Sequence, residues 1–190
     1  MDPIARFQRW YAQARRAPML QPDAMTLATA GARGRPSARM VLLKQADADG
    51  FVFYTNGKSR KGRELHDNPH AALVFHWDRL GKQVRVEGRV EEVSPAEADA
   101  YWATRPRASQ LAALASEQSA ALVTRTRLVA RWRALDRRYG ATPVPRPPHW
   151  TGYRVVPDAI EFWTHRDHRL HDRELFTRSG RAWKLTRLQP

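Results

Sequence analysis

The chain has 190 residues, of which 42% are hydrophobic, so it can bury a sizeable core and fits one domain spanning residues 1–190 better than two. It contains no cysteine, which excludes disulfides, thiolate metal sites and cysteine nucleophiles. We find no signal sequence and no apolar run of about 18 residues, and therefore expect a cytoplasmic protein.

The formal net charge of +14 invites a nucleic-acid-binding interpretation. We do not favour it, because the arginines are interleaved with acidic residues and no run of five basic residues occurs. A small anionic ligand explains the cations that stand out below. A non-catalytic basic binding module stays open as the alternative from another functional class.

The chain begins with a predicted amphipathic helix. Asp2 and Pro3 form an N-cap and first-turn pair, and apolar residues recur at helical spacing to about Arg16. We therefore predict an N-terminal helix within residues 1–17. Short strands follow, separated by turns, at residues 25–30, 37–44 and 51–55.

Two groups of cations accompany these strands. Arg39 and Lys44 are five residues apart, so in a regular strand they face opposite sides and could reach two different anions, or else they flank a buried strand with solubilising charge. Ser59 is a good helix N-cap, but Arg60 and Lys61 then oppose the helix dipole in the first turn. A bound phosphate would remove that conflict.

Two further strands complete a pattern typical of a barrel. Residues 71–77 are apolar, and we predict that this strand is buried on both faces. The strand over residues 83–93 alternates, with Val84 and Val86 inward, and Gly88 indicates a bulge. Short strands with tight turns favour a mainly β fold with helices, of the α+β class.

The middle of the chain offers a second candidate anion site. Ser94 opens a capping box, and the helix that it begins carries Tyr101 and Arg105 on one face before Pro106 ends it. We predict that Ser109 caps the next helix. These hydroxyl and guanidinium groups could cradle a phosphate, although an ordinary amphipathic helix with snorkelling side chains explains the same spacing.

The remaining elements follow in order. A long helix over residues 124–139 carries an aromatic stripe that we interpret as core. A proline-rich connector spans residues 140–150. Three strands are then predicted at residues 152–156, 159–163 and 181–188.

The segment over residues 161–176 combines the most recognition chemistry and is predicted to be a strand or hairpin. On a strand, Arg169, His171 and Arg173 would share one face, suited to an anionic or aromatic ligand, or would form a solvated charged face. His165, His168 and His171 suggest zinc, but on a strand only His165 and His171 share a face and no carboxylate of matching parity is obvious, so no metal is expected.

These strings together resemble a known family. RMVLLK, FYTN, SRKG, RPR-x-SQ, EQS, EFW and above all RLHDR, in this order from Arg39 towards the C terminus, resemble the FMN-dependent pyridoxamine (pyridoxine) 5′-phosphate oxidases. The resemblance covers nearly the whole chain. It implies an FMN-binding split β-barrel, and a homodimer that binds FMN at the subunit interface with residues of both chains.

The resemblance also implies site residues and a reaction. Cofactor contacts are expected from Arg39, Met40, Val41, Leu42, Leu43, Lys44, Tyr54, Thr55, Arg60, Lys61, Gln83, Gln118, Ser119, Trp163 and Arg173. Substrate contacts are expected from Lys44, Tyr101, Arg105, Ser109, Arg169, Leu170 and His171, of which Arg169 and His171 are the catalytic candidates. The implied reaction oxidises a B6 phosphate vitamer with O2 and gives H2O2.

Three departures from the family pattern limit what can be inferred about the substrate. The N-terminal extension of some members is expected to be missing here. Residues 112–114 are Ala-Ala-Leu where Gly-Ala-Trp is usual, and Thr164-His165 stands where Gln-Gly is usual. An FMN-dependent oxidase of another compound, such as a phenazine precursor, therefore stays open.

Overall fold

The computed structural model describes residues 2–190. Its helices are α1 (Pro3–Arg16), α2 (Arg60–Asp67), α3 (Pro95–Thr104), α4 (Arg107–Ala115) and α5 (Arg125–Tyr139). Its strands are β1 (Ala24–Ala30), β2 (Pro36–Leu42), β3 (Gln45–Asp47), β4 (Gly50–Asn56), β5 (His70–Trp77), β6 (Lys82–Glu92), β7 (Trp150–Thr164), β8 (Asp172–Ser179) and β9 (Ala182–Leu188).

One antiparallel sheet holds all nine strands. Its order is β2-β1-β5-β6-β7-β4-β3, with β8 on β7 and β9 on β8. The sheet curls until β2 and β4 contact each other without forming a ladder, which leaves the barrel split at that seam. The predicted mainly β fold with helices is confirmed, and only the three-residue strand β3 escaped prediction.

Local sequence signals set most helix ends. The Asp2 side chain accepts a hydrogen bond from Ile4 N, and the Ser94 side chain accepts one from Glu97 N, as the two cap predictions require. Phe7 of α1 is fully buried and packs edge-on against Phe51 and Phe75. These contacts place α1 over the barrel core.

Strand β7 corrects one prediction about the C-terminal half and bears on a second. The two predicted strands are one fifteen-residue strand that runs through Pro157. The ladder with β6 shifts register between Glu87 and Gly88, so a bulge is confirmed beside Gly88, although the extra residue lies on β7. Asp158 has no partner at this shift, and the missing N–H of Pro157 is therefore tolerated.

Strand β5 is not buried on both faces. Its side chains alternate, with Leu73, Phe75 and Trp77 in the core and Val74 and His76 towards the other face. The prediction that both faces of β5 are buried was wrong, because the apolar residues on the second face are small or only half-buried.

No helix within residues 2–190 is both long and apolar enough to cross a bilayer.

The segment between β7 and β8 is a turn, so the hairpin form of that prediction holds and the strand form is wrong. A short 3₁₀ turn covers residues 167–169, and His168 and Arg169 have φ values of 56° and 61°. Strand β8 begins only at Asp172. Alternation therefore does not describe the directions of Arg169 and His171.

Candidate functional site

A cluster of cations lies where α2 meets the barrel, and Lys61 is its buried member. The Lys61 side chain turns inward and donates hydrogen bonds to Thr55 Oγ1 at 2.9 Å and Gln118 Oε1 at 3.1 Å. Among the described residues, no carboxylate lies within ion-pair distance of it. Burial, together with the charge of Arg39, lowers the pKa of Lys61 to about 8.

Arg39 and Arg60 complete this cluster, and Glu64 holds both of them. Arg39 Nη2 lies 3.1 Å from Glu64 Oε2, and Arg60 Nε lies 2.8 Å from Glu64 Oε1. Although burial raises the pKa of Glu64, hydrogen bonds from Ser37, Thr29 and the two guanidinium groups outweigh it and bring the pKa to about 2. We call Arg39, Arg60, Lys61 and Glu64 the cation cluster.

The loop after α4 adds polar groups to the cation cluster. Ser119 adopts a φ of 73°, and its Oγ accepts a hydrogen bond from Arg60 N at 3.1 Å. Gln118 Oε1 also accepts a hydrogen bond from Thr55 Oγ1. The Arg60 N–H of the first α2 turn, a buried ammonium and two guanidinium groups thus come together, which suits a bound phosphate.

An aromatic wall adjoins the cluster through β4. The Tyr54 ring stacks on Tyr101 with centroids 4.0 Å apart and on Trp150 at 5.4 Å. Burial, with smaller effects of Glu97 and Tyr101, raises the pKa of Tyr54 to about 12. The phenol is therefore a neutral hydrogen-bonding group at physiological pH.

Arg105 lies against this wall with an unsatisfied donor. Its guanidinium carbon is 4.7 Å from the Trp150 ring centroid, and its Nη1 is the buried nitrogen without a hydrogen-bond partner within residues 2–190. Burial lowers the pKa of Arg105. A hollow of about 310 Å³ contains Arg105, Ser109 and Gln118 in its lining. Such a cation calls for an anion from outside the chain.

The prediction for Ser109 was partly wrong. Pro106 occupies the N-cap position of α4, so Ser109 lies inside the first turn rather than capping it. Proline is tolerated there because the first turn has no carbonyl partner for its missing N–H. Ser109 nevertheless lines the same hollow as Arg105.

A second group of predicted residues lies at the other end of β7. Gln83 and Arg173 both pair with Trp163, on opposite sides of the strand. The His171 ring lies 4.5 Å from Trp163, and its Nδ1 accepts a hydrogen bond from Arg166 N at 3.1 Å. We call Gln83, Trp163, Arg169, His171 and Arg173 the distal group.

Arg173 is held by a buried carboxylate. It donates to Glu161 Oε1 at 2.8 Å and to Oε2 at 3.2 Å, and these bonds raise its pKa. Arg85 also reaches Glu161, at 3.2 Å, and Arg173 Nη1 donates to the Gln189 carbonyl. The guanidinium is therefore oriented by two acceptors, the Glu161 carboxylate and the Gln189 carbonyl.

The cation cluster and the distal group do not meet within one chain. Thr55 pairs with Thr151 at the start of β7, whereas Trp163 lies twelve residues further along that strand. At roughly 3.3 Å per residue this separates them by up to about 40 Å. Among residues 2–190, no hydrogen bond, ion pair or ring contact joins the two groups.

Several predicted residues fall outside both groups. Lys44 forms an ion pair with Asp23 at 3.3 Å. It does not line the hollow that contains Arg105 and Ser109, with which it was expected to share a phosphate. Met40, Leu42 and Leu170 have relative exposures of 62%, 38% and 68%. Leu43 is buried in the hydrophobic core, and the partly buried Val41 packs against that core.

Sequence reasoning missed the groups that orient the cations. Thr29, Ser37 and Glu64 surround Arg39, and Glu161 holds Arg173. Two signals were present, because Ser37 shares a strand face with Arg39 and Glu64 follows Arg60 by one helical turn. Thr29 and Glu161 come close only through strand register.

The sequence matches two parts of one family. Residues 12–139 match the description pyridoxamine 5′-phosphate oxidase, and residues 150–190 match the pyridoxine 5′-phosphate oxidase C-terminal dimerisation region. A pyridoxine/pyridoxamine 5′-phosphate oxidase of Paraburkholderia phymatum is 57% identical over 190 residues, which cover 100% of this chain and 89% of the relative. Its counterpart in Gluconobacter oxydans is 55% identical and covered to 94%, again with 100% of this chain aligned.

Solved structures of similar shape point the same way. PhzG from Burkholderia lata 383, solved with tetrahydrophenazine-1-carboxylic acid, superposes with a TM-score of 0.95 at 37% identity, covering 100% of this chain and 93% of that one. A pyridoxamine 5′-phosphate oxidase-related, FMN-binding protein from Nostoc punctiforme PCC 73102 superposes with a TM-score of 0.82, covering 100% and 99%. The latter is 16% identical, so it supports the fold alone.

Proposed function

The chain belongs to the pyridoxamine 5′-phosphate oxidase family, and from this premise we propose that it oxidises pyridoxamine 5′-phosphate and pyridoxine 5′-phosphate to pyridoxal 5′-phosphate. FMN is the proposed cofactor and O2 the electron acceptor. The alcohol substrate and O2 give the aldehyde and H2O2, whereas the amine substrate also consumes water and releases ammonia.

One observation carries this proposal: the buried ammonium of Lys61 and the buried Nη1 of the half-buried Arg105 both lack an anionic partner in the described part of the chain. Lys61 has only neutral acceptors, and Arg105 Nη1 has none. Buried charges of this kind are costly unless an anion pairs with them. The cofactor and the substrate each bring one phosphate, so the chemistry of the donors fits two phosphorylated ligands.

The cation cluster is proposed to bind the FMN phosphate. Arg39, Arg60 and Lys61 supply charge, and the Gln118 and Ser119 side chains close the loop side. When bound, the flavin supplies the redox chemistry, since it accepts a hydride equivalent from the C4′ carbon of the substrate and passes the electrons to O2.

The residues along the aromatic wall are proposed to bind the substrate phosphate. Arg105 and Ser109 line one hollow, and Tyr101 extends the wall beside them. Lys44 would have to come from the other chain or exchange its partner Asp23. Such clamps would hold the pyridine ring in the orientation that the transfer needs.

The distal group is proposed to come from the second protomer. His171 Nδ1 already accepts a backbone hydrogen bond, so the neutral ring carries its proton on Nε2 and can donate it to a polar edge of the substrate. Arg169 is exposed on its turn and could cover the outer face of the ring. Strands β7 to β9 coincide with the matched dimerisation region, which supports a homodimer with two composite sites.

The decisive experiment records the visible spectrum of the purified protein and then measures peroxide with each B6 phosphate. We expect a yellow protein that forms peroxide with both substrates, and a Lys61→Met variant that retains little flavin.

A yellow protein that is inactive on both B6 phosphates would support a family member with another substrate. The likeness to PhzG and the changes at residues 112–114 and 164–165 keep that second candidate open. A colourless, inactive protein would refute both.

A further inference from the structure

Glu64 is a half-buried carboxylate in the middle of a binding site proposed for an anion. Its side chain is 12% exposed and accepts four hydrogen bonds, from Thr29 Oγ1, Ser37 Oγ, Arg39 Nη2 and Arg60 Nε. A negative charge beside a phosphate site repels the phosphate. The presence of Glu64 there therefore cannot be explained by attraction of the ligand.

Helix stability does not supply that explanation. Within α2 the cation Arg60 precedes the anion Glu64 by four residues, which is the less favourable order for a helical pair. The first turn of α2 carries no acidic residue, although acids are favoured there. Glu64 instead reaches away from its helix to Thr29 of β1 and Ser37 of β2.

We propose that Glu64 is a positioning and specificity-determining residue that aims Arg39 and Arg60 at the cofactor phosphate and adjusts the charge of the site to a dianion. This inference rests on the proposed function, since it takes the cation cluster as the phosphate site. It concerns how that site selects a phosphomonoester, which the assignment of the reaction does not specify.

Charge matching supports the proposal. Three cations and one carboxylate leave the cation cluster with a net charge of two positive units, if Lys61 is protonated. A phosphomonoester carries close to two negative charges at neutral pH, whereas a phosphodiester carries one. With the carboxylate removed, the cluster would hold three uncompensated cations in a partly buried place, and their mutual repulsion would spread them apart.

Orientation supports it as well. Glu64 contacts the two arginines through different oxygens, 3.1 Å and 2.8 Å away, so one carboxylate fixes both guanidinium planes. Thr29 Oγ1 and Ser37 Oγ accept from Arg39 while they donate to Glu64. In Glu64→Gln, an amide NH2 would face one guanidinium as donor against donor, and the arrangement would loosen.

The test compares FMN with riboflavin, which lacks the phosphate, in flavin-stripped full-length protein. We expect Glu64→Gln to raise the Kd for FMN about tenfold and to leave the Kd for riboflavin within about twofold. Glu91→Gln, which removes the same charge from an exposed position on β6, should change neither. An unchanged or tighter preference for FMN in Glu64→Gln would overturn the proposal.

A second variant and the unaltered protein distinguish misfolding and a misplaced phosphate site from a failure of the proposal. If Glu64→Gln loses riboflavin binding and its melting temperature falls sharply, Ser37→Ala replaces it, because that change removes one hydrogen bond from the same carboxylate. We then expect a roughly threefold loss of FMN preference, and no loss would contradict the proposal. If the unaltered protein binds FMN no better than riboflavin, the proposed phosphate site itself fails, independently of Glu64.

Discussion

Lys61 carries its charge in a place where charge is costly, and this makes its affinity for an anion depend on pH. The side chain is 8% exposed, and its pKa is lowered to about 8, first by burial and then by Arg39. Above that pH the free site loses its proton, whereas a bound phosphate favours the protonated form. Binding therefore becomes coupled to proton uptake as the pH rises.

We expect the affinity for FMN to fall by about fivefold between about pH 8 and pH 9. Lys61→Arg should remove this dependence, because its guanidinium stays charged, and Lys61→Met should bind FMN weakly at every pH. Titration of flavin-stripped protein by fluorescence quenching measures each Kd, with riboflavin as the control for ionisation of the flavin ring. A flat profile in the unaltered protein would show that Lys61 does not meet the phosphate.

Arg105 differs from Lys61 because part of its guanidinium has no partner at all. Its Nη1 is buried and unsatisfied, and its plane lies over Trp102 and Trp150. We expect Arg105→Met to raise KM for both B6 phosphates by about 100-fold, since charge-assisted hydrogen bonds to the substrate phosphate are lost. Steady-state peroxide assays measure this change.

Flavin content and stability distinguish that role from a structural one. Arg105→Met should keep its flavin, and its melting temperature should not fall, because removing an unpaired buried charge relieves a desolvation cost. The exposed Arg125 of α5 provides a matched control as Arg125→Met. Loss of flavin together with activity would instead assign Arg105 to the cofactor.

At the scale of elements, the bulge between β6 and β7 depends on a close approach of two backbones. A Cβ placed on Gly88 would lie 2.0 Å from the carbonyl oxygen of Val156, which the ladder cannot accommodate without shifting. We expect Gly88→Ala to lower the free energy of unfolding by about 2–4 kcal/mol. Chemical denaturation at one fixed protein concentration measures the loss.

Gly31→Ala is the matched control for this prediction. A Cβ at Gly31 meets nothing nearer than 3.7 Å, and we expect a change within about 0.5 kcal/mol. Since β7 carries Thr151 at one end and Trp163 at the other, Gly88→Ala should also disturb flavin binding. Equal stability of the two variants would mean that the bulge relaxes easily.

The elements also show what the sequence could predict. Features that depend on residues close in sequence could be predicted, namely the caps at Asp2, Ser59 and Ser94 and the glycine beside the bulge. The continuity of β7 could not be predicted, because proline normally ends a strand and Pro157 is tolerated here only beside the bulge at Asp158, in β7 itself.

In the candidate site, too, features set by nearby residues could be predicted, and features set by strand pairing could not. The dipole conflict at Arg60 and Lys61 predicted an anion site from local sequence alone, whereas the inward contacts of Lys61 with Thr55 and Gln118 could be seen only in the structure. The alternation assumed for Arg169 and His171 failed because His168 and Arg169 adopt left-handed backbone conformations, which no residue type there predicts. Glu161 reaches Arg173 only through the pairing of β7 with β8.

At the scale of the whole molecule, the two halves of the proposed site lie at opposite ends of β7. The apolar side chains of Met40, Leu42 and Leu185 are exposed in the single chain, as expected of a surface that a second copy covers. A composite site predicts that each catalytic centre takes the cation cluster from one protomer and the distal group from its partner. Variants in the two groups should therefore complement each other.

We expect Lys61→Met and Arg169→Leu homodimers each to have little activity. After the two are unfolded together and refolded as a mixture, half of the dimers should be mixed, and each mixed dimer should contain one centre with both groups intact. Activity should then recover to about a quarter of that of the unaltered protein. A Lys61→Met, Arg169→Leu double variant refolded with the unaltered chain is the control: its mixed dimers contain no intact centre, so only the unaltered homodimers, about a quarter of the total, should be active, whereas a complete site in each chain would give about half. If each chain formed its own complete site, the mixture of single variants would stay inactive, and the two-chain arrangement would be wrong.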